Sequence, residues 1–68
     1  MSAYEKQIAG GHYISFKIQP SKFINDNKLP FAEGNAIKYI CRHPHKGKKD
    51  DILKAIHYLE MIIERDYK

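Results

Sequence analysis

Asp51-Ile52-Leu53-Lys54-Ala55-Ile56-His57-Tyr58-Leu59-Glu60-Met61-Ile62-Ile63 decides the fold. Ile52, Ala55, Ile56, Leu59, Ile62 and Ile63 recur at three- and four-residue steps, the period of a helix that buries one stripe. Asp50 and Asp51 stand at its start, where carboxylates meet the positive end of a helix. A helix over 49–65 is expected, the longest element, with that stripe as core and Lys54, Tyr58 and Met61 flanking it.

Before it lies a basic loop, His45-Lys46-Gly47-Lys48-Lys49, in which Gly47 is expected to supply backbone freedom. Pro44 ends the preceding element, expected as a helix over 30–43, started by Pro30 and complemented by Glu33 in its first turn. Phe31, Ile37, Ile40 and Cys41 offer it apolar contacts. Gly34 and Asn35 are poor helix formers, so their presence implies the close approach of a neighbour or a ligand. Pro20 suits the start of a shorter helix over 21–27, with Phe23 and Ile24 turned inward. Before that, Tyr13, Ile14, Phe16 and Ile18 are strand-type residues, so 12–18 reads as an extended arm able to pair with another subunit. Residues 1–11 read as a polar lead-in ending in Gly10-Gly11. The fold class is all-α: a small bundle of about three helices with an N-terminal arm, 12–68 forming one domain.

With 68 residues, a lone core is marginal, and disulfides, a metal or self-association are the usual remedies. The single cysteine, Cys41, allows no disulfide within the chain and sits in an apolar run, which suits a buried thiol in a reducing compartment. Self-association as a homo-oligomer is therefore expected. No apolar run approaches the ~18 residues of a membrane span, and residues 1–10 lack a signal-peptide core, so a cytoplasmic protein is expected. The net charge of +4 suits a phosphate-bearing partner and equally suits plain solubility.

Six cations, Lys38, Arg42, Lys46, Lys48, Lys49 and Lys54, fall on two helix faces and the loop between them. Lys38 and Arg42 stand four residues apart on one face, with Asn35 a turn earlier. A helical hairpin brings them near Lys54 and Tyr58, and such a set can hold a phosphate chain. The plainer reading is a solvated basic face; Gly34 and Asn35 beside the cations tilt the balance toward a site. No Walker-type loop is present. Tyr13, Tyr39 and Tyr58 each offer a stacking face to a base, although packing at the core boundary is the commoner fate of tyrosine. His12, His43, His45 and His57 have no standard zinc spacing, so no metal site is read. Asp50 and Asp51 read first as caps; one could instead hold a magnesium-bound nucleotide or orient Lys38 or Arg42.

The series His12-Tyr13, Gln19-Pro20, Gly34-Asn35-Ala36-Ile37-Lys38-Tyr39-Ile40 with Arg42, Lys46-Gly47, Asp51-Ile52-Leu53-Lys54-Ala55 and Tyr58-Leu59 resembles a family of small bacteriophage proteins of formerly unassigned function. The same domain occurs in the nucleotide kinases of the T-odd coliphages. The resemblance covers 12–63 and implies a phage protein that handles nucleotides without a phosphate loop. It carries nucleotide binding onto His12, Tyr13, Asn35, Lys38, Tyr39, Arg42, Lys46, Asp51, Lys54 and Tyr58. No cofactor is assigned, Mg2+ with a bound nucleotide being the one option left open. Kinase members are longer than this chain, so binding transfers more readily than phosphoryl transfer. Three functions are thus expected in order: a nucleoside monophosphate kinase-like enzyme, a non-catalytic nucleotide sponge that takes up a host nucleotide signal, cyclic ones included, and a small nucleic-acid binder. The last ranks lowest because Glu33, Asp50 and Asp51 interrupt the basic surface.

Overall fold

A computed structural model of the chain describes residues 16–68. It contains three helices: α1, Pro20–Asp26; α2, Phe31–Arg42; and α3, Lys49–Asp66. No strand occurs among the described residues, and 16–18 form a bend that leads into α1. The rest of the expected arm, His12 and Tyr13 included, lies outside them.

Each boundary has a local cause. Pro20 occupies the first turn of α1, where its missing N–H costs nothing. The helix ends in a Schellman turn: Lys28 N–H donates to the Asn25 carbonyl and Leu29 N–H to the Ile24 carbonyl, both at 3.1 Å. Lys28 takes the left-handed position usually given to glycine, with φ 53°. Pro30 then precedes α2, and Gly34 N–H returns to its carbonyl. At the far end the Arg42 carbonyl accepts from both His45 and Lys46 N–H, and Pro44 stops the helix. Lys48 N–H donates to the His43 carbonyl at 2.9 Å, and Lys48, with φ 51°, turns the chain into α3.

The main packing is α2 against α3, an antiparallel hairpin tied by Arg42 to Asp51 and by Arg65 to Glu33, with α1 packed on α2. Gly34 supplies the α1 contact: a Cβ there would stand 2.9 Å from Ile24 Cγ2. The expected close approach is therefore made by a neighbouring helix. The expected core is narrower than the sequence suggests. Among the described residues the buried apolar side chains are Pro20, Ala32, Ala36 and Ala55. Ile24, Ile37, Cys41, Ile52 and Ile62 are half-buried, whereas Phe23, Phe31, Ile40, Ile56, Leu59 and Ile63 are exposed. A stripe that includes both Ile62 and Ile56 spans more of the α3 circumference than one neighbouring helix can cover.

Candidate functional site

Phe31, Asn35, Lys38 and Arg42 follow one another at steps of four, three and four residues, so they form one stripe on α2. Tyr39 stands between that stripe and α3. Lys54 and Tyr58, one turn apart on α3, meet it from the other side of the hairpin. Three cations gather round the Tyr39 ring: Arg42 Cζ lies 4.7 Å from its centroid, Lys38 Nζ 5.0 Å and Lys54 Nζ 5.3 Å. All are within the reach of a cation–π attraction. The Tyr39 and Tyr58 rings stack with centroids 5.9 Å apart and planes 10° apart. Phe31 meets Tyr58 edge-on at 5.8 Å and is 73% exposed. The result is an aromatic ladder, Tyr39–Tyr58–Phe31, with positive charge at one end.

Arg42 is fixed from behind. Its Nε donates to Asp51 Oδ2 at 2.9 Å and its Nη2 to Oδ1 at 3.1 Å. The Gly47 N–H donates to Asp51 Oδ2 at 2.9 Å. Asp51 is 0% exposed, and its carboxylate accepts at both oxygens in the fork geometry that favours arginine. The hydrogen bonds from Arg42 hold the Asp51 carboxyl below the usual carboxylate range despite the upward pull of burial, with the Gly47 N–H and the charges of Arg42 and Lys54 adding to the effect. Gly47 is needed for space, not for freedom: a Cβ at that position would run into the Asp51 carboxylate. Asp51 thus realises one of the roles read from sequence, the orientation of Arg42.

The remaining expected residues divide. Asn35 donates its Nδ2 to the Phe31 carbonyl of its own helix at 2.9 Å, beside the cations. Lys46 is exposed in the turn, one residue from Gly47. Lys38 and Lys54, both exposed, form no ion pair with a carboxylate among the described residues. His12 and Tyr13 lie outside those residues. Phe31, expected from the sequence as a packing residue, stands on the site side, and its spacing to Asn35, Lys38 and Arg42 marks the same stripe. Among the described residues, no group of three or more histidine, cysteine or acidic side chains is placed to hold a metal ion. No helix there is long and apolar enough to cross a membrane.

Fold and face together define a class: a short helical hairpin that presents three cations and an aromatic ladder on one side. The chain matches the model of the DUF3310 family, described as a protein of unknown function, over residues 8–60, and it belongs to that family. That span includes every residue of the cationic and aromatic face. Comparison with curated proteins and with solved structures returns no match.

Proposed function

We propose that this protein binds a nucleotide, with the phosphate at Lys38, Arg42 and Lys54 and the base toward Phe31. One observation carries the reading: three cations converge on the Tyr39 ring, and the Asp51 carboxylate that meets Arg42 is buried behind them. Cations held this close repel one another, and an anion between them relieves the repulsion. A phosphate answers the charge, and a planar base answers the exposed Phe31 ring backed by Tyr58. The motif series supports the same reading through its likeness to phage nucleotide kinases. A phage origin, action in the host cytoplasm and assembly as a homo-oligomer belong to this proposal.

Binding without turnover is the second reading, and Asp51 favours it. The Asp51 carboxylate is buried and its oxygens accept from Arg42 and Gly47, so it is spent on structure and not presented to a metal or an acceptor hydroxyl. A protein that sequesters a nucleotide needs no such group.

Native mass spectrometry of the full chain against mono-, tri- and cyclic nucleotides tests both readings. A stoichiometric complex is expected, and the mass of the recovered ligand separates holding from conversion. Lys38→Gln should weaken binding ~10-fold, the loss of one charge-assisted phosphate contact. The nucleotide reading fails if no nucleotide binds, or if Lys38→Gln/Lys54→Gln binds as tightly as the native chain. If single-stranded DNA or RNA binds instead, with steep loss on adding salt, the nucleic-acid alternative replaces it.

A further inference from the structure

The opposite side of the hairpin carries its own pattern. On α3, positions 49, 52, 56, 59, 63 and 66 advance by three, four, three, four and three residues, the seam of a two-stranded coiled coil. They are Lys49, Ile52, Ile56, Leu59, Ile63 and Asp66. Ala55, buried, and Ile62, half-buried, lie off this seam. Ile56, Leu59 and Ile63 are 46%, 44% and 57% exposed. Helix geometry places Ile40 of α2 on the same side, and it too is exposed.

We infer that this seam is the docking surface for a second copy of the chain, with the two α3 helices antiparallel about a two-fold axis. The axis passes between His57 and Tyr58, and the pairing of positions then follows from the sequence. Ile52 meets Ile63 of the second copy, Ile56 meets Leu59, and Lys49 meets Asp66, each pair occurring twice. Lys49 and Asp66 decide the occupant and its direction. A parallel pairing sets Lys49 against Lys49 and Asp66 against Asp66, two like-charge contacts at the ends of the seam. An antiparallel pairing sets each lysine against a carboxylate. Lys49 has no ion pair among the described residues, and Asp66 is held at the seam's end by Arg65 at 2.7 Å. The need for such burial is plain within one hairpin, whose buried apolar side chains are alanines. Ile37, Cys41, Ile52 and Ile62 add only partial burial, so one hairpin leaves apolar surface that a second copy covers. The seam lies away from Tyr39, so it stands apart from the nucleotide reading.

Sedimentation velocity and light scattering of the full chain at micromolar concentration test the inference. Twice the 8.0 kDa chain mass is expected. Leu59→Glu should return the chain to single mass with its helical circular dichroism retained. Lys49→Glu should weaken association ~10-fold or more, and Lys49→Glu/Asp66→Lys should restore it. The charge exchange stands as a test even where Leu59→Glu fails to fold. The inference is overturned by a native chain of single mass. It is overturned equally by association that Leu59→Glu leaves intact, or by an exchange that gives no rescue.

Discussion

Arg42–Asp51 and Arg65–Glu33 join the same two helices at opposite ends of the hairpin, with the same pair of chemical groups. Arg42 and Asp51 sit at the closed end, beside the turn. Arg65, near the end of α3, donates from Nη1 and Nη2 to Glu33 in the first turn of α2. The surroundings separate the two. Asp51 has no exposed surface and also accepts a backbone N–H, while the side chains of Arg65 and Glu33 are 43% and 26% exposed. Arg65 is moreover shared with Asp66. A buried pair broken at one partner leaves an uncompensated charge, whereas an exposed pair exchanges its partner for water at little cost. The closed end is therefore the structural tie, and it also fixes one of the three cations of the candidate site.

The largest effect should come from breaking that tie. Asp51→Asn removes the charge that compensates Arg42, and the melting midpoint should fall by on the order of 10 °C or more. Gly47→Ala should do comparable damage from the other side, because its methyl group runs into the carboxylate. The two changes act on one space. Gly47→Ala added to Asp51→Ala should cost no more than Asp51→Ala alone, since the methyl then enters a vacated volume. Thermal unfolding followed by circular dichroism checks all of these, and strict additivity of the double variant would break the argument.

Acid should expose the same contrast. Hydrogen bonding from arginine depresses both carboxyls, Asp51 through Arg42 and Glu33 through Arg65. A depressed carboxyl binds its proton less readily in the folded chain than in the unfolded one. Its stabilisation is thus complete above the unfolded values, about 3.9 for Asp and 4.3 for Glu, and is lost as pH falls through the folded ones. The melting midpoint of the native chain should drop steeply below pH ~4. Asp51→Asn should flatten that acid limb, and Glu33→Gln should leave it close to native. A steep limb surviving in Asp51→Asn would move the acid-sensitive tie elsewhere.

The glycines show how far the sequence could be read. All three helices were legible because Pro20, Pro30, Pro44 and the Asp50-Asp51 pair punctuate them, and the boundaries fall within one or two residues of expectation. Gly34 was legible as a close approach, but the sequence does not say whether a helix or a ligand approaches. Gly47 suggests backbone freedom in the sequence and serves instead as a space. Its partner Asp51 stands four residues on and is aimed by Arg42, nine residues back, a geometry that exists only once the turn is closed. The excess width of the α3 stripe was present in the sequence too, as a second seam beside the first. Periodicity shows that residues share a face without saying what covers it.

Gly34→Ala should have a mid-sized effect confined to α1. Alanine gains ~1 kcal/mol of helix propensity over glycine, and forcing a methyl against Ile24 costs ~1–3 kcal/mol. The balance is a net loss of ~0–2 kcal/mol, so the midpoint should fall by up to several degrees while amide protection falls in α1 and persists in α2 and α3. Ile24→Ala in the same chain should make room for the methyl and recover the propensity gain. Loss of protection across the hairpin would mean that α1 is part of the tie.

The smallest effect is expected at the open end. Glu33→Gln keeps a neutral acceptor near Arg65, and Arg65 keeps Asp66, so no charge is left buried and alone. The midpoint at neutral pH should stay within a few degrees of native, the range of exposed pairs. Added salt should erase even that difference, because exposed charges are screened over ~8–10 Å at moderate ionic strength. The Asp51→Asn deficit should persist in the same salt, since water and ions do not reach a carboxylate with no exposed surface. Equal deficits in the two variants, or equal relief by salt, would mean that the ends of the hairpin are alike and that burial does not set the worth of its ion pairs.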